Sequence, residues 1–393
     1  MISKVVKSGY AFSRNPILVH AEAPEGVTPG VAGSFFTISV GAEKVYSGRF
    51  YPPLDLNLAE IVDAHIGFFK EPETDDAAPL VRIETADEMF RRYVFALFEF
   101  AEDEYEEEFE FMAIPGGISG QNFKRMLATD QDIFNARFFN HKSNFFMTTR
   151  TAGWRIVMKE TELYPLYFII PGSASLEIVE ALSKKSLALG DLTQGVFALN
   201  LDAVRRKFMQ TYDIIPNMFH LNVDGNYSCC MVIEAAAAAR ERYRLKFRNS
   251  LGVFEIIELV GALYVSPDYT ASDASGFDRY DPDAGAFYAD RERIERKQVI
   301  TVETGVKRPD EVRFLMDMIG SEEVYLLDLT EFPLKVIPSA ESLKYSPRPE
   351  TPEKFTLKLK LADTESNIMQ DIIDGLEGRK PRVFSKQFSK QFN

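Results

Sequence analysis

Apolar and polar positions alternate along much of this chain. In SFFTISV, Phe36, Ile38 and Val40 fall on one side of an extended backbone and Thr37 and Ser39 on the other. A period of two marks a half-buried strand. Gly41 and Ala42 interrupt it, VYSGRFYPP resumes it, and Pro52 and Pro53 end it, because proline cannot donate to a strand ladder. RRYVFALFEF and EEEFEFMAI predict the strands of a hairpin, and the acidic stretch Glu102 to Glu108 between them predicts its solvated tip. The acidic stretch Glu71 to Ala78 predicts a loop. WRIVMKE, YPLYFII, GVFALNL and NMFHLNV predict further strands, parted by Gly, Pro and Asp. RYRLKFRN and VFEIIELVGALYV, joined by Ser250, Leu251 and Gly252, predict a second hairpin. KQVITVETG, EEVYLLDL, FPLKVIPS and KFTLKLKLA predict strands towards the end.

Helix signals are few. Pro309 suits a first helical turn, with Asp310 and Glu311 at the positive end of the dipole. Val312, Leu315, Met316 and Ile319 then recur at helical spacing, and Gly320 suits the C-terminal cap. SCCMVIEAAAAARERYRLKF is contradictory: Ala235 to Ala239 favour helix by propensity, whereas YRLKF alternates as a strand. SPDYTASDASGFDRYDPDAGAFYAD predicts a long polar loop. Gly116, Gly117 and Gly120 mark a boundary. The expected order is a β-sandwich domain over 1–115, a connecting segment over 116–150, a second β domain over 151–240, a β-rich domain over 241–375 with one helix near 309–319, and a basic tail over 376–393. The expected fold class is mainly β, a multidomain β-sandwich architecture with few short helices.

Composition supports this picture. Among 393 residues, 32 are Phe and 16 Tyr against a single Trp, a bias that suits pleated, half-buried surfaces. A hydrophobic fraction of 46% supplies ample core for two or three domains. The net charge of −14 argues against nucleic acid as a partner. No apolar run approaches the ~18 residues of a transmembrane helix, so membrane insertion is not expected. MISKVVKSGYAFSRNPILVH lacks a continuous apolar core and a small-residue cleavage site, which leads to the expectation of maturation in the cytoplasm.

Motifs for chemistry are scarce. His20, His65, His141 and His220 are scattered, without HExxH or a similar ligand spacing. There is no GxSxG elbow and no P-loop, and GGISG at Gly116 to Gly120 lacks the lysine and helix a phosphate cradle needs, so it reads as a linker. Cys229 and Cys230 are adjacent; on a strand they would face opposite ways, as an inert structural pair. Asp273, Asp278, Asp281, Asp283 and Asp290 could offer calcium hard oxygen ligands, but not at EF-hand spacing, so a solvated loop is the expectation. A glycosidase-like pair of carboxylates would depend on a separation that sequence does not give. The expectation is therefore a non-enzyme with no catalytic, cofactor-binding or metal-ligating residues.

The basic end contains FSKQFSKQF, with Phe384, Phe388 and Phe392 four residues apart. On a helix these form one apolar stripe. A frayed tail and a docking peptide for a neighbouring subunit are the two readings; in the second, the tail from Arg379 to Phe392 is steered by its opposite charge towards the acidic hairpin around Glu102 to Glu108 of another copy.

Several segments resemble a known family. FSRNPILV with VYSGRFYPP, then KFRNSLGVFEIIELVGAL, then MIGSEEVYLLD with FPLKVIPS, resemble tail proteins encoded in prophages of gut Bacteroidetes. Together they cover about a third of the chain. The resemblance implies a β-sandwich-based virion component of the tail or baseplate, made in the host cytoplasm. It would act through contacts with copies of itself and other tail proteins, with a host surface glycan as a further candidate partner. A β-sandwich carbohydrate-binding or adhesive protein is the alternative. Neither the acidic hairpin nor FSKQFSKQF belongs to the resemblance.

Overall fold

The computed structural model of the protein describes residues 2–4, 8–23, 25, 34–67, 71, 78–83, 93–100, 105–142, 144–150, 154–273, 279–288, 291–340, 342–346 and 353–362. Strand accounts for 48% and helix for 17%, against about 20–25% strand in a typical globular protein, so the chain is mainly β with several sheets. It divides into two compact units. One holds Met1–Glu234 and Asn249–Glu255, the other Ala235–Arg248 and Ile256–Asn393.

The first unit begins with a five-stranded sheet in the order Tyr10–Phe12, Tyr105–Ile114, Tyr93–Phe100, Ser34–Val40, Glu43–Phe50. A three-stranded sheet of Ile2–Lys4, Leu18–Ala21 and Leu54–Asn57 shares a core with it. Phe36, Ile38 and Val40 are buried as their alternation predicts, and pack with Phe98, Phe111 and Val19. The strand Glu43–Phe50 stops just before Tyr51, Pro52 and Pro53. The helix Ala59–Ile66, which the alternation did not announce, adds Val62 and Ile66 to this core. The predicted hairpin is present, with Phe98 opposite Glu107 and Glu99 opposite Glu106. Glu106 and Glu108 are exposed, while 102–104 and most of the predicted loop at 72–77 lie outside the described residues.

Residues 155–234 build a sheet in the order Arg155–Lys159, Cys230–Glu234, Met218–Val223, Ala174–Glu180, Ser186–Leu192. The helix Leu201–Tyr212 was also unpredicted. Asn200 caps it by accepting from the N–H groups of Asp202 and Ala203, both at 3.1 Å. Leu201, Val204 and Phe208 anchor its buried face. A fourth sheet holds Leu166–Ile170, Gly195–Leu199 and Leu80–Arg82, and the first two of these strands are buried on both faces. Phe168, Ile170 and Leu199 face the core of residues 155–234. Tyr167, Ile169, Val196 and Ala198 face another, built with Phe12, Ile114, Phe134 and Phe138. Residues 1–115, 116–150 and 151–240, expected as separate segments, thus share one unit up to Glu234. The physical reason is this doubly buried sheet, whose strands read as continuous apolar runs.

Two readings of the connecting segment are corrected. GGISG is followed by a helix, Gly120–Ala128, with Ser119 as its cap. Nor is it a free linker. Gly116 has φ +100°, and a Cβ there would lie 2.5 Å from the Ser250 carbonyl oxygen, so only glycine permits this approach. Beyond the helix, Arg137 donates from Nε to the carbonyl of Asn144 (3.1 Å) and from Nη2 to those of Phe146 (3.4 Å) and Thr148 (2.9 Å). This pins the loop that inserts Phe145 and Phe146 into the core. Thr148 then donates to Glu255 (2.5 Å), whose carboxylate also accepts from Asn249 Nδ2 (2.6 Å). Burial holds the Arg137 guanidinium below its ordinary pKa.

The second unit is organised on a seven-stranded sheet, in the order Phe254–Val260, Arg242–Arg248, Val324–Leu326, Leu334–Ala340, Glu353–Leu361, Arg291–Lys307, Leu263–Asp273. Glu353–Leu361 alternates as predicted, with Phe355, Leu357 and Leu359 buried. The five alanines are not helical; the strands Cys230–Glu234 and Arg242–Arg248 flank them. A five-residue run is too short to nucleate a helix against that pull. The predicted helix is Pro309–Ile319, and the Arg308 N–H donates to the Glu311 carboxylate at 2.9 Å. Its buried residues are Val312, Phe314, Leu315 and Met318, whereas Met316 is 47% exposed. Gly320 closes the helix at φ −78°, without the left-handed turn glycine often supplies there. Arg244 clamps Asp328 through Nε at 2.9 Å and Nη2 at 2.7 Å, a two-point ion pair between neighbouring segments of the unit.

Candidate interaction surface

The polar stretch from Ser266 to Asp290, predicted as a loop, is largely a β-ribbon. Gly261 ends the strand Phe254–Val260; a Cβ there would sit 2.8 Å from the Glu303 Cβ. The chain then turns into Leu263–Asp273, which pairs antiparallel with Arg291–Lys307 from Leu263 opposite Val302 to Asp273 opposite Arg291. At the root the ladder belongs to the sheet. Ile300 and Val302 are buried, and Val299 to Lys307 also pair with Glu353–Leu361.

Beyond Val299 the two strands, 267–273 and 291–298, pair with each other and, among the described residues, with no third strand. At about 3.3 Å per residue the extension is roughly 20–25 Å long. Pro267 fits here because its strand is the edge of the sheet, where a missing N–H is tolerated. A two-stranded ribbon alone is marginally stable in water, and among the described residues neither outer edge of this one pairs with a further strand.

Past the ribbon lies a short ladder, Arg279–Asp281 with Ala286–Tyr288. Asp281 closes its turn by accepting from the N–H of Asp283 at 2.9 Å and of Ala284 at 3.4 Å. Tyr280 and Phe287 stand opposite each other with ring centroids 5.0 Å apart, and are 53% and 68% exposed. Of the five aspartates considered for calcium, Asp281 is thus engaged in a backbone turn, and Asp278 and Asp290 lie outside the described residues. Among the described residues no group of three His, Cys, Asp or Glu side chains could hold a metal ion.

The histidines are dispersed. His20 lies 2.6 Å from Asp55 and 3.1 Å from Glu22 on an exposed sheet face, and hydrogen bonds to these carboxylates raise its pKa. His65 Nδ1 lies 2.8 Å from the Ile61 carbonyl oxygen, and His220 Nδ1 lies 3.0 Å from that of Ser228. His141 is half-buried, and desolvation lowers its pKa. Among the described residues no helix is long and apolar enough to cross a membrane.

No protein-family model matches this chain, and no curated protein matches it in sequence.

Both cysteines are free thiols. Burial pushes Cys229 up to about 12 and raises Cys230 as well, so neither carries thiolate near neutral pH. With an aromatic disulfide at pH 8, Cys229 is expected to react only as the protein unfolds, and Cys230 at least tenfold more slowly than a free thiol. A rapid two-thiol burst from the native protein would contradict this placement.

Proposed function

We propose that the chain is a structural component of a phage or prophage tail or baseplate that works through protein–protein assembly rather than catalysis. The observation that carries the assembly reading is the ribbon. A sheet that sends two strands roughly 20–25 Å past its own edge, ending in two exposed aromatics, exposes backbone and apolar surface that a neighbour can cover. Strand addition satisfies such edges with main-chain hydrogen bonds, and aromatic knobs are the residues most enriched where interfaces hold. The acidic net charge keeps unassembled copies apart in solution. The resemblance of FSRNPILV, KFRNSLGVFEIIELVGAL and MIGSEEVYLLD supplies the tail and baseplate setting.

The assembly reading is tested by shortening the ribbon. Residues 267–298 are replaced by Asn-Gly, a turn that closes a two-strand hairpin. The intact chain is expected to gain mass with concentration in light scattering. The shortened chain should keep its far-ultraviolet spectrum and associate at least tenfold more weakly. Equal association of the two would remove the ribbon from the interface. Tape-measure and portal genes beside this one would support the tail setting, and a polysaccharide-utilisation cluster would overturn it.

A further inference from the structure

We propose that a groove beside the helix Gly120–Ala128 is the docking site for residues 379–393 of a second copy of this chain; the proposal rests on the self-assembly reading above. The helix has a clear apolar side but no fully buried residue. Phe123, Met126 and Leu127, three and four positions apart, share that side, and Leu127 is 41% exposed. They face Tyr10, Phe12 and Phe134 across a shallow groove, open to solvent along one side. Asp130 and Asp132 stand at its rim.

The occupant is chosen by composition and charge. Residues 379–393, RKPRVFSKQFSKQFN, carry five cations and no acidic residue. Phe384, Phe388 and Phe392 recur every fourth position, which on a bound helix makes one aromatic stripe. Pro381 is suited to the first turn of such a helix. An amphipathic helix with anchors at this spacing laid into an apolar groove is a common mode of peptide recognition. Here the aromatic stripe meets Phe123, Met126 and Leu127, and the cations meet an acidic rim. The groove and the segment are different surfaces of the same chain, so their union is a head-to-tail contact that propagates or closes into a ring.

The test uses a chain ending at residue 378 and a fluorescein-labelled peptide of residues 379–393. The shortened chain is expected to bind the peptide saturably in fluorescence anisotropy. Leu127→Asp, at an exposed position, should weaken binding at least tenfold. So should a peptide with all three phenylalanines changed to serine, which leaves the protein untouched. In light scattering the full chain should associate at least tenfold more strongly than the shortened one. Failure of the shortened chain to bind the peptide overturns the proposal. Binding by the shortened chain, with a full chain that stays monomeric and refuses the peptide, also overturns it, because each tail then occupies its own copy. If both chains associate equally, this contact is lost while the assembly reading stands. If neither associates at any concentration, both fall.

Discussion

Arg137→Met is expected to cost about 3–5 kcal/mol of stability, one of the two largest effects a single substitution should have here. Methionine keeps much of the apolar stem but removes donors to three backbone carbonyls, those of Asn144, Phe146 and Thr148. Hydrogen bonds from a charged donor contribute about 1.5–3 kcal/mol each, and acceptors left buried without a donor add their desolvation cost. The guanidinium also lies 4.8 Å from the ring centre of Phe138, so a cation–π contact is lost as well. The loop it holds delivers Phe145 and Phe146, both fully buried, and leads into Thr148, Glu255 and Asn249. The loss should appear as a lower urea midpoint with an unchanged slope. A change under about 1 kcal/mol would mean that the loop is held by its aromatic packing alone.

Phe168→Ala should cost a similar amount, about 3–5 kcal/mol. Phe168 is fully buried midway along the strand Leu166–Ile170 of the doubly covered sheet. Its ring lies 5.7 Å from that of Phe145, 5.9 Å from Phe146 and 5.9 Å from Phe197. Removing it leaves a cavity that its close-packed neighbours, Phe197 in a strand and Phe145 and Phe146 in the loop that Arg137 pins, cannot fully collapse to fill. Phe332→Ala is the control. That ring is 74% exposed, and its loss should change stability by no more than about 0.5 kcal/mol. Equal effects at the two positions would contradict the burial pattern.

Strands with one wet and one dry face are legible in sequence by their alternation, and the doubly buried Leu166–Ile170 and Gly195–Leu199 by their short continuous apolar runs. Phe36, Ile38 and Val40 are buried as read, and so are Phe355, Leu357 and Leu359. The ribbon was not legible because it has no such pattern to show. It is polar along both strands, and its pairing follows from the register set at its root by Ile300 and Val302. The helix Leu201–Tyr212 did leave a trace, in the cap at Asn200 followed by Leu201, Val204 and Phe208. GVFALNL, read as a strand, ran through Asn200 and Leu201 and so masked the cap. The Arg137 node left no trace, because its acceptors are backbone carbonyls that every residue possesses. Likewise the groove needs Tyr10, Phe12 and Phe123 brought together from distant positions, which neither periodicity nor composition announces.

Amide hydrogen exchange along the ribbon, measured against protein concentration, tests the central claim most directly. If the ribbon is covered by a neighbour, amides in 267–273 and 291–298 should exchange rapidly in dilute protein. They should slow at least tenfold over the concentration range in which mass rises, while amides of Leu166–Ile170 stay protected throughout. Ribbon amides that exchange at one rate across that range, as the protein associates, would contradict assembly through this surface.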